Sequence, residues 1–295
     1  LRKLRLRFGP LDVWPVPRRT FEAAVIAQSG DELALAAENA VPAQLSCRNF
    51  NQITPKVWVC LSSICVLVVA AFLIMPAVAI NAAICLALFS MLAAQILKVA
   101  AFVASKTDKD PSPVTQSPDA VLPLVTLLVP LFKEQDIANA LLSRLKSLKY
   151  PHHRLEVLLI LETNDAQTRS VLEGINLPKW IRVIDVPNGT VRTKPRAMNF
   201  AMNFAKGDIV GIYDAEDAPA PDQIDHVVTY FSQNPEVDCV QGILDYYNPT
   251  ANWLSRCFTI EYAIWLRLLL PGLARLGLPI PLGGTTMFIS RHVLE

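Results

Sequence analysis

The chain has 295 residues, 52% of them hydrophobic and only 18% charged, which makes it more apolar than an ordinary soluble domain and long enough for one large domain or two. A formal net charge of +1 argues against a nucleic-acid binder, which normally shows a concentrated basic surface, so no nucleic-acid partner is expected. Six cysteines without a CxxC pair and four histidines without a metal-ligand spacing argue for free thiols in a reducing compartment rather than a disulfide framework or a zinc centre.

Residues 1–55 open on a basic stretch, hold two proline-containing turns and one expected helix over 20–40, and form a cytoplasmic segment without an assignable function. The basic start is not followed by an apolar core, so it is no secretory signal. From Val57 to Ala104 the only charge is Lys98. One bilayer span takes about 20 apolar residues, so residues 56–104 are expected to form two transmembrane helices with a tight turn near 76–81. Arg48 and Lys56 precede the pair, Lys98, Lys106 and Lys109 fall at or beyond its end, and the connecting loop is uncharged. The positive-inside bias then places both ends in the cytoplasm, as in a multi-pass protein of the inner (plasma) membrane. Residues 105–120 have the composition of a linker.

From 121 to 295 apolar runs alternate with helical periodicity. Strands are expected over 122–132, 155–161, 181–186 and from 209, and helices over 136–148, from about 165, over 196–205 and over 221–234. Such alternation predicts a Rossmann-like, mostly parallel sheet covered by helices on both faces. No GxGxxG occurs, which weighs against a dinucleotide enzyme. A strand over 237–244 follows, and then an aromatic and leucine-rich helix over 253–270 that suits a membrane interface or an ordinary core. The segment 271–295 is rich in Pro and Gly, with a short strand over 287–290.

The strand beginning at Ile209 runs into Asp214, Glu216 and Asp217. In open α/β sheets ligands bind at the carboxyl ends of strands. Three carboxylates there call for a hard cation, Mg²⁺ or Mn²⁺, completed by a substrate's phosphates; taken alone, such a triplet also reads as a solvated acidic turn.

Four clusters fall at or beyond expected strand ends: Pro130-Leu131-Phe132-Lys133-Glu134, Glu162-Thr163-Asn164-Asp165, Arg192 to Asn199, and Asp214 to Asp217. With Gly283-Gly284-Thr285-Thr286, this ordered set resembles the family 2 glycosyltransferases, in particular the membrane-bound branch related to cellulose synthase and bacterial β-glycan synthases. The resemblance implies a GT-A fold and inverting transfer of a sugar from a nucleotide diphosphate, a UDP-sugar, to a glycan or polysaccharide acceptor. It also implies donor contacts from Phe132, Glu134, Glu162, Asp165, Lys194 and Asn199. The DxD metal motif falls on Asp214 and Glu216 as a DxE variant with Asp217 as a substitute metal ligand, and Gly283, Gly284 and Thr285 lie near the acceptor. The family's Thr-Glu-Asp base motif and Gln-x-x-Arg-Trp motif do not occur among these residues. The expectation is therefore a GT-A domain over 121–295 that is incomplete at its carboxyl end, with the base beyond Glu295. The competing reading is a non-catalytic, nucleotide-binding membrane protein; a nucleotidyltransferase is weaker for want of a glycine-rich phosphate loop.

Overall fold

A computed structural model describes residues 9, 14–46, 54–106, 122–133, 138–246 and 248–294. The expected linker at 105–120 lies almost entirely outside them. The chain divides into two compact units, one of residues 1–40, 121–228 and 289–295, the other of 41–120 and 229–288; each is described by itself.

The first unit is built on four parallel strands, β1 (Val125–Leu131), β2 (Leu155–Glu162), β3 (Ile181–Val186) and β4 (Ile209–Ile212), in the order β3-β2-β1-β4. All eight residues of β2 and all four of β4 are buried. That burial is why these strands read as unbroken apolar runs rather than alternating ones. Helices follow each strand: α4 (Ala138–Lys146), α5 (Ala166–Glu173), α6 (Lys194–Met202) and α7 (Gln223–Gln233), the last running past residue 228 into the second unit. Helix α6 starts two residues before its expected position because Pro195 sits in its first turn, where a missing N–H costs nothing.

The amino-terminal helix α1 (Arg18–Glu38) belongs to this unit. Ala34 and Ala37 are buried in one apolar cluster with Leu158, Ile160, Ile184, Val186 and Phe200. At its other end Glu22 meets an ion cluster: Arg182 on β3 binds Glu22 through Nη1 and Glu156 on β2 through Nη2 at 2.7 Å. Arg18 closes the cluster, at 2.5 Å from Glu22 and 3.2 Å from Glu156. The side chains of Arg182, Glu22 and Glu156 are 7–9% exposed, so the charges tolerate burial only because each is paired.

The second unit holds α2 (Pro55–Ile74) and α3 (Pro76–Ser105), then β5 (Cys239–Gln241), α8 (Trp253–Ile264), α9 (Leu270–Arg275) and β6 (Met287–Ser290), which crosses the boundary between the units. Pro76 opens α3 directly after Met75, which makes the turn between the two long helices. Strand β5 is shorter than the expected 237–244; its three residues are only half-buried and its pairing passes to Gly242 N–H, bonded to Thr286 O at 2.7 Å. Pro271 lies in the first turn of α9 and offers no N–H to the preceding carbonyl ladder. The chain widens to a π-helical turn over Trp265–Leu269 just before it.

Among the described residues three helical stretches are long and apolar enough to cross a membrane: Pro55–Ile74, Pro76–Ser105 and Trp253–Arg275, with mean hydropathies of 2.8, 2.2 and 1.3 over their most apolar windows. The third is the stretch expected as an interfacial or core helix. Cys60, Cys65, Cys85, Cys239 and Cys257 are free thiols.

Helix α9 lies on α3 where Gly272 meets Ala101. A Cβ at Gly272 would stand 1.9 Å from the Ala101 carbonyl oxygen, and Ala101 is fully buried. Backbone against backbone leaves no flexible group to yield, and Arg275 donates to the Ala104 carbonyl one turn on, at 3.0 Å. Gly272→Ala is expected to cost the second unit about 1–3 kcal/mol through overpacking; an unchanged thermal midpoint in detergent would show that the helices do not meet there.

Candidate functional site

The carboxyl ends of β1, β2 and β4 frame a cavity of about 390 Å³, lined among others by Phe132, Glu162, Arg192, Thr193, Lys194, Asp214 and Glu216. Each element delivers its residue for a local reason. Past β4, Tyr213 N–H still bonds to Leu128 O at 3.0 Å, so Asp214 is the first residue to leave the sheet. Asp217 then folds back: its carboxylate accepts from Asp214 N–H at 2.8 Å, and its own N–H bonds to Asp214 O at 3.1 Å. Arg144 of α4 holds the turn from outside, donating to Glu216 O at 2.7 Å. Asp214 and Glu216 face the cavity, while Asp217 shapes the turn that presents them.

Beyond β1 the chain turns through Lys133, a non-glycine residue at φ 58°. Such a conformation persists only where neighbours enforce it. Here Asp165 does so, accepting Lys133 N–H at 2.7 Å while capping α5 through Thr168 N–H at 3.1 Å and Thr168 Oγ1 at 2.7 Å. Burial alone would raise the Asp165 carboxyl, but these donors outweigh it and hold it below the ordinary range. Asp165 therefore fixes the turn behind Phe132 and is not among the residues lining the cavity. Asn199 does not line it either: its side-chain amide donates to Ala37 O of α1 at 3.2 Å. Glu134 lies outside the described residues.

Lys194, at the start of α6, pairs with Asp214 Oδ1. Arg196, two residues on, is buried behind the cavity, with Nη2 donating to Pro187 O at 2.5 Å and Nη1 standing 3.4 Å from Glu162 Oε1. The second carboxylate oxygen, Glu162 Oε2, is buried without a hydrogen-bond partner among the described residues. Desolvation raises the Glu162 carboxyl above the ordinary range, opposed by the Arg196 and Arg192 charges. A buried unpartnered acceptor in a cavity wall is costly. Asn164 is not among the lining residues but supports one of them: with its amide oxygen facing Arg192, it accepts from that guanidinium at 2.9 and 2.7 Å.

Among the described residues no three His, Cys, Asp or Glu side chains converge to hold a metal ion. The chemistry at Asp214 and Glu216 nonetheless fits one kind of ion. Two carboxylates without sulfur or imidazole suit a hard cation that takes its remaining oxygens from phosphates and water. Gly283, Gly284 and Thr285 are in the second unit. There Gln241 organises them, accepting Gly283 N–H at 2.8 Å and donating to Thr285 O at 3.0 Å. Thr286 beside them has φ 52°, an outlying conformation for a β-branched residue.

Sequence reasoning placed the strand-end clusters but gave no weight to Arg192 as a lining residue. The run of Arg192, Lys194 and Arg196 ahead of a helix was the available signal.

A parallel α/β unit with acids and bases gathered at its strand ends has the plan of a nucleotide-using transferase. Residues 123–295 match the family described as glycosyltransferase like family 2, and the chain belongs to that family, in agreement with the ordered motifs. The α/β, mostly parallel architecture is the one expected of its GT-A domain. Similar proteins include the probable glycosyltransferase YdaM of Bacillus subtilis, 23% identical over 176 residues, and the beta-monoglucosyldiacylglycerol synthase of Synechocystis, 26% identical over 179 residues. Each alignment covers 59% of this chain but only 42% and 36% of those proteins, so the chain spans well under half the length of these relatives. Among solved structures, the Pyrobaculum calidifontis mannosyltransferase PcManGT in complex with GDP-Man and Mn²⁺ aligns with a TM-score of 0.42 at 25% identity, over 54% of this chain and 46% of that one. Staphylococcus aureus TarS with UDP-GlcNAc aligns with a TM-score of 0.36 at 18% identity, over 44% and 37%.

Proposed function

We propose that the cavity at the strand ends binds a UDP-sugar with Mg²⁺ or Mn²⁺, and that the protein is a membrane-anchored, inverting glycosyltransferase acting on a cytosolic donor and a glycan or polysaccharide acceptor. The observation that carries this reading is the convergence of Phe132, Glu162, Arg192, Lys194, Asp214 and Glu216 on one cavity. Phe132 offers a ring face for a base, Glu162 an acceptor for its N–H, and Arg192 and Lys194 positive charge for the phosphates. Asp214 and Glu216 would hold the cation, which neutralises charge growing on the leaving diphosphate. Lys194, already paired with Asp214, would swing between carboxylate and phosphate as the site fills.

Glu162 favours uracil. With Oε1 turned to Arg196 and Oε2 alone unpartnered, the residue has room for one donor. A uracil imide presents a single N–H, whereas the same edge of guanine presents more. Binding that needs the ionised carboxylate must tighten as pH rises until Glu162 has lost its proton, and then level off. Because its carboxyl is raised, that approach lies above the usual Glu range. UDP titrations across pH are expected to show this rise in the native protein and a flat profile in Glu162→Gln. Equal profiles, or tighter binding of GDP than UDP, would refute the assignment.

The anchoring rests on α2 and α3, whose most apolar windows have no buried residue; surfaces of that size are stable in lipid rather than water.

A further inference from the structure

Helix α1 lies outside residues 123–295, the part that matches the family, yet it touches the segment that carries Arg192 and Lys194. Two contacts bracket that segment. At Gly30 an added Cβ would stand 3.0 Å from Pro187 Cγ, so the loop start lies directly on the helix. At the helix end, the Glu38 carboxylate accepts from Thr190 N–H at 3.2 Å and from the Thr190 hydroxyl. The same carboxylate lies 3.7 Å from Arg196 Nε, an atom buried without a hydrogen-bond partner among the described residues. Below the loop, a Cβ at Gly189 would stand 2.4 Å from the Arg196 guanidinium. Loop, arginine and helix end are thus packed into one another, with Glu38 in contact with both.

We propose that Glu38 is a positioning residue for the donor site: it pins the loop of residues 187–193 to α1 and orients Arg196 beneath Glu162, so that a helix supplied from outside the family region completes the nucleotide pocket. A loop without this anchor would carry Arg192 in many conformations and leave the start of α6 at Lys194 less firmly held, and ordering it would be charged against donor affinity. Helix α1 holds its place independently of this contact, through the Glu22 cluster at its other end and the burial of Ala34 and Ala37. Loss of Glu38 therefore acts on the loop rather than on the helix.

The inference rests on the donor-site reading, and one experiment separates the two. UDP is titrated with Mn²⁺ into the whole chain in detergent, as native protein, Glu38→Ala, Glu38→Gln and Thr190→Val, alongside deuterium uptake over residues 187–193. No binding to the folded native protein would sink the donor-site reading itself. With native binding established, Glu38→Ala is expected to weaken UDP by about tenfold, the scale of a lost charge-assisted hydrogen bond, and to speed uptake in 187–193 but not in the strands. Glu38→Gln, which keeps an acceptor for Thr190, is expected to recover part of the affinity. If Glu38→Ala does not fold, Thr190→Val, a change on an exposed loop, reads the same contact. Unchanged affinity, or weaker binding without faster uptake in 187–193, would overturn the proposal.

Discussion

Asp214→Asn is expected to remove metal-dependent UDP binding, with affinity in Mn²⁺ falling at least about 100-fold if the cation contributes several kcal/mol. The change is nearly isosteric and deletes one negative charge. Asp214 N–H still donates to Asp217, so the turn that presents Glu216 survives. Neither Asp214 nor its partner Lys194 is a core residue, their side chains each being 31% exposed, so the thermal midpoint should hardly move. A lone Glu216 would remain as carboxylate ligand, and Lys194 would be left to the phosphates. Residual UDP binding in the variant should be the same with Mn²⁺ and with EDTA. Native-like, Mn²⁺-dependent binding would show that the acids after β4 are a solvated turn.

Arg182→Met carries the largest expected effect on stability. Its guanidinium lies between Glu22 and Glu156 and also donates to Phe204 O at 3.2 Å. Replacement leaves two buried carboxylates with only Arg18 between them. Breaking such a cluster from one side typically costs about 3–5 kcal/mol, because the remaining charge has no water to turn to. Denaturant unfolding of the native protein and the variant measures the loss. Combining Arg182→Met with Glu22→Gln and Glu156→Gln should recover part of it, since the orphaned charges are then gone. A change below about 1 kcal/mol in the single variant would mean that solvent reaches the cluster.

The four parallel strands were legible because burial on both faces leaves no alternation to misread: Leu155 to Glu162 is buried throughout. Asp214 was legible as the first residue after such a run. Helix α1 was visible as a helix but not as part of this unit. Its buried contacts are made by Ala34, Ala37, Gly30 and Glu22, small or charged residues that, apart from the local Arg18–Glu22 pair, meet partners over a hundred positions away. Asp165 and Asn199 illustrate a different limit. A motif order fixes where a residue stands along the chain, but side-chain direction depends on neighbours: Thr168 and Lys133 draw Asp165 into a cap, and Ala37 O draws Asn199 towards α1. Strand β5 was overextended because its sequence is apolar enough for a strand while its residues are only half-buried. The third apolar helix is weaker in hydropathy than the first two, which is why composition alone did not separate span, interface and core.

The measurement that tests the central claim most directly is calorimetric titration of UDP into the detergent-solubilised chain, first with Mn²⁺ and then with EDTA. Micromolar binding that requires the metal is the predicted result. Folded protein that binds UDP in neither condition would contradict the donor site at the ends of β1, β2 and β4.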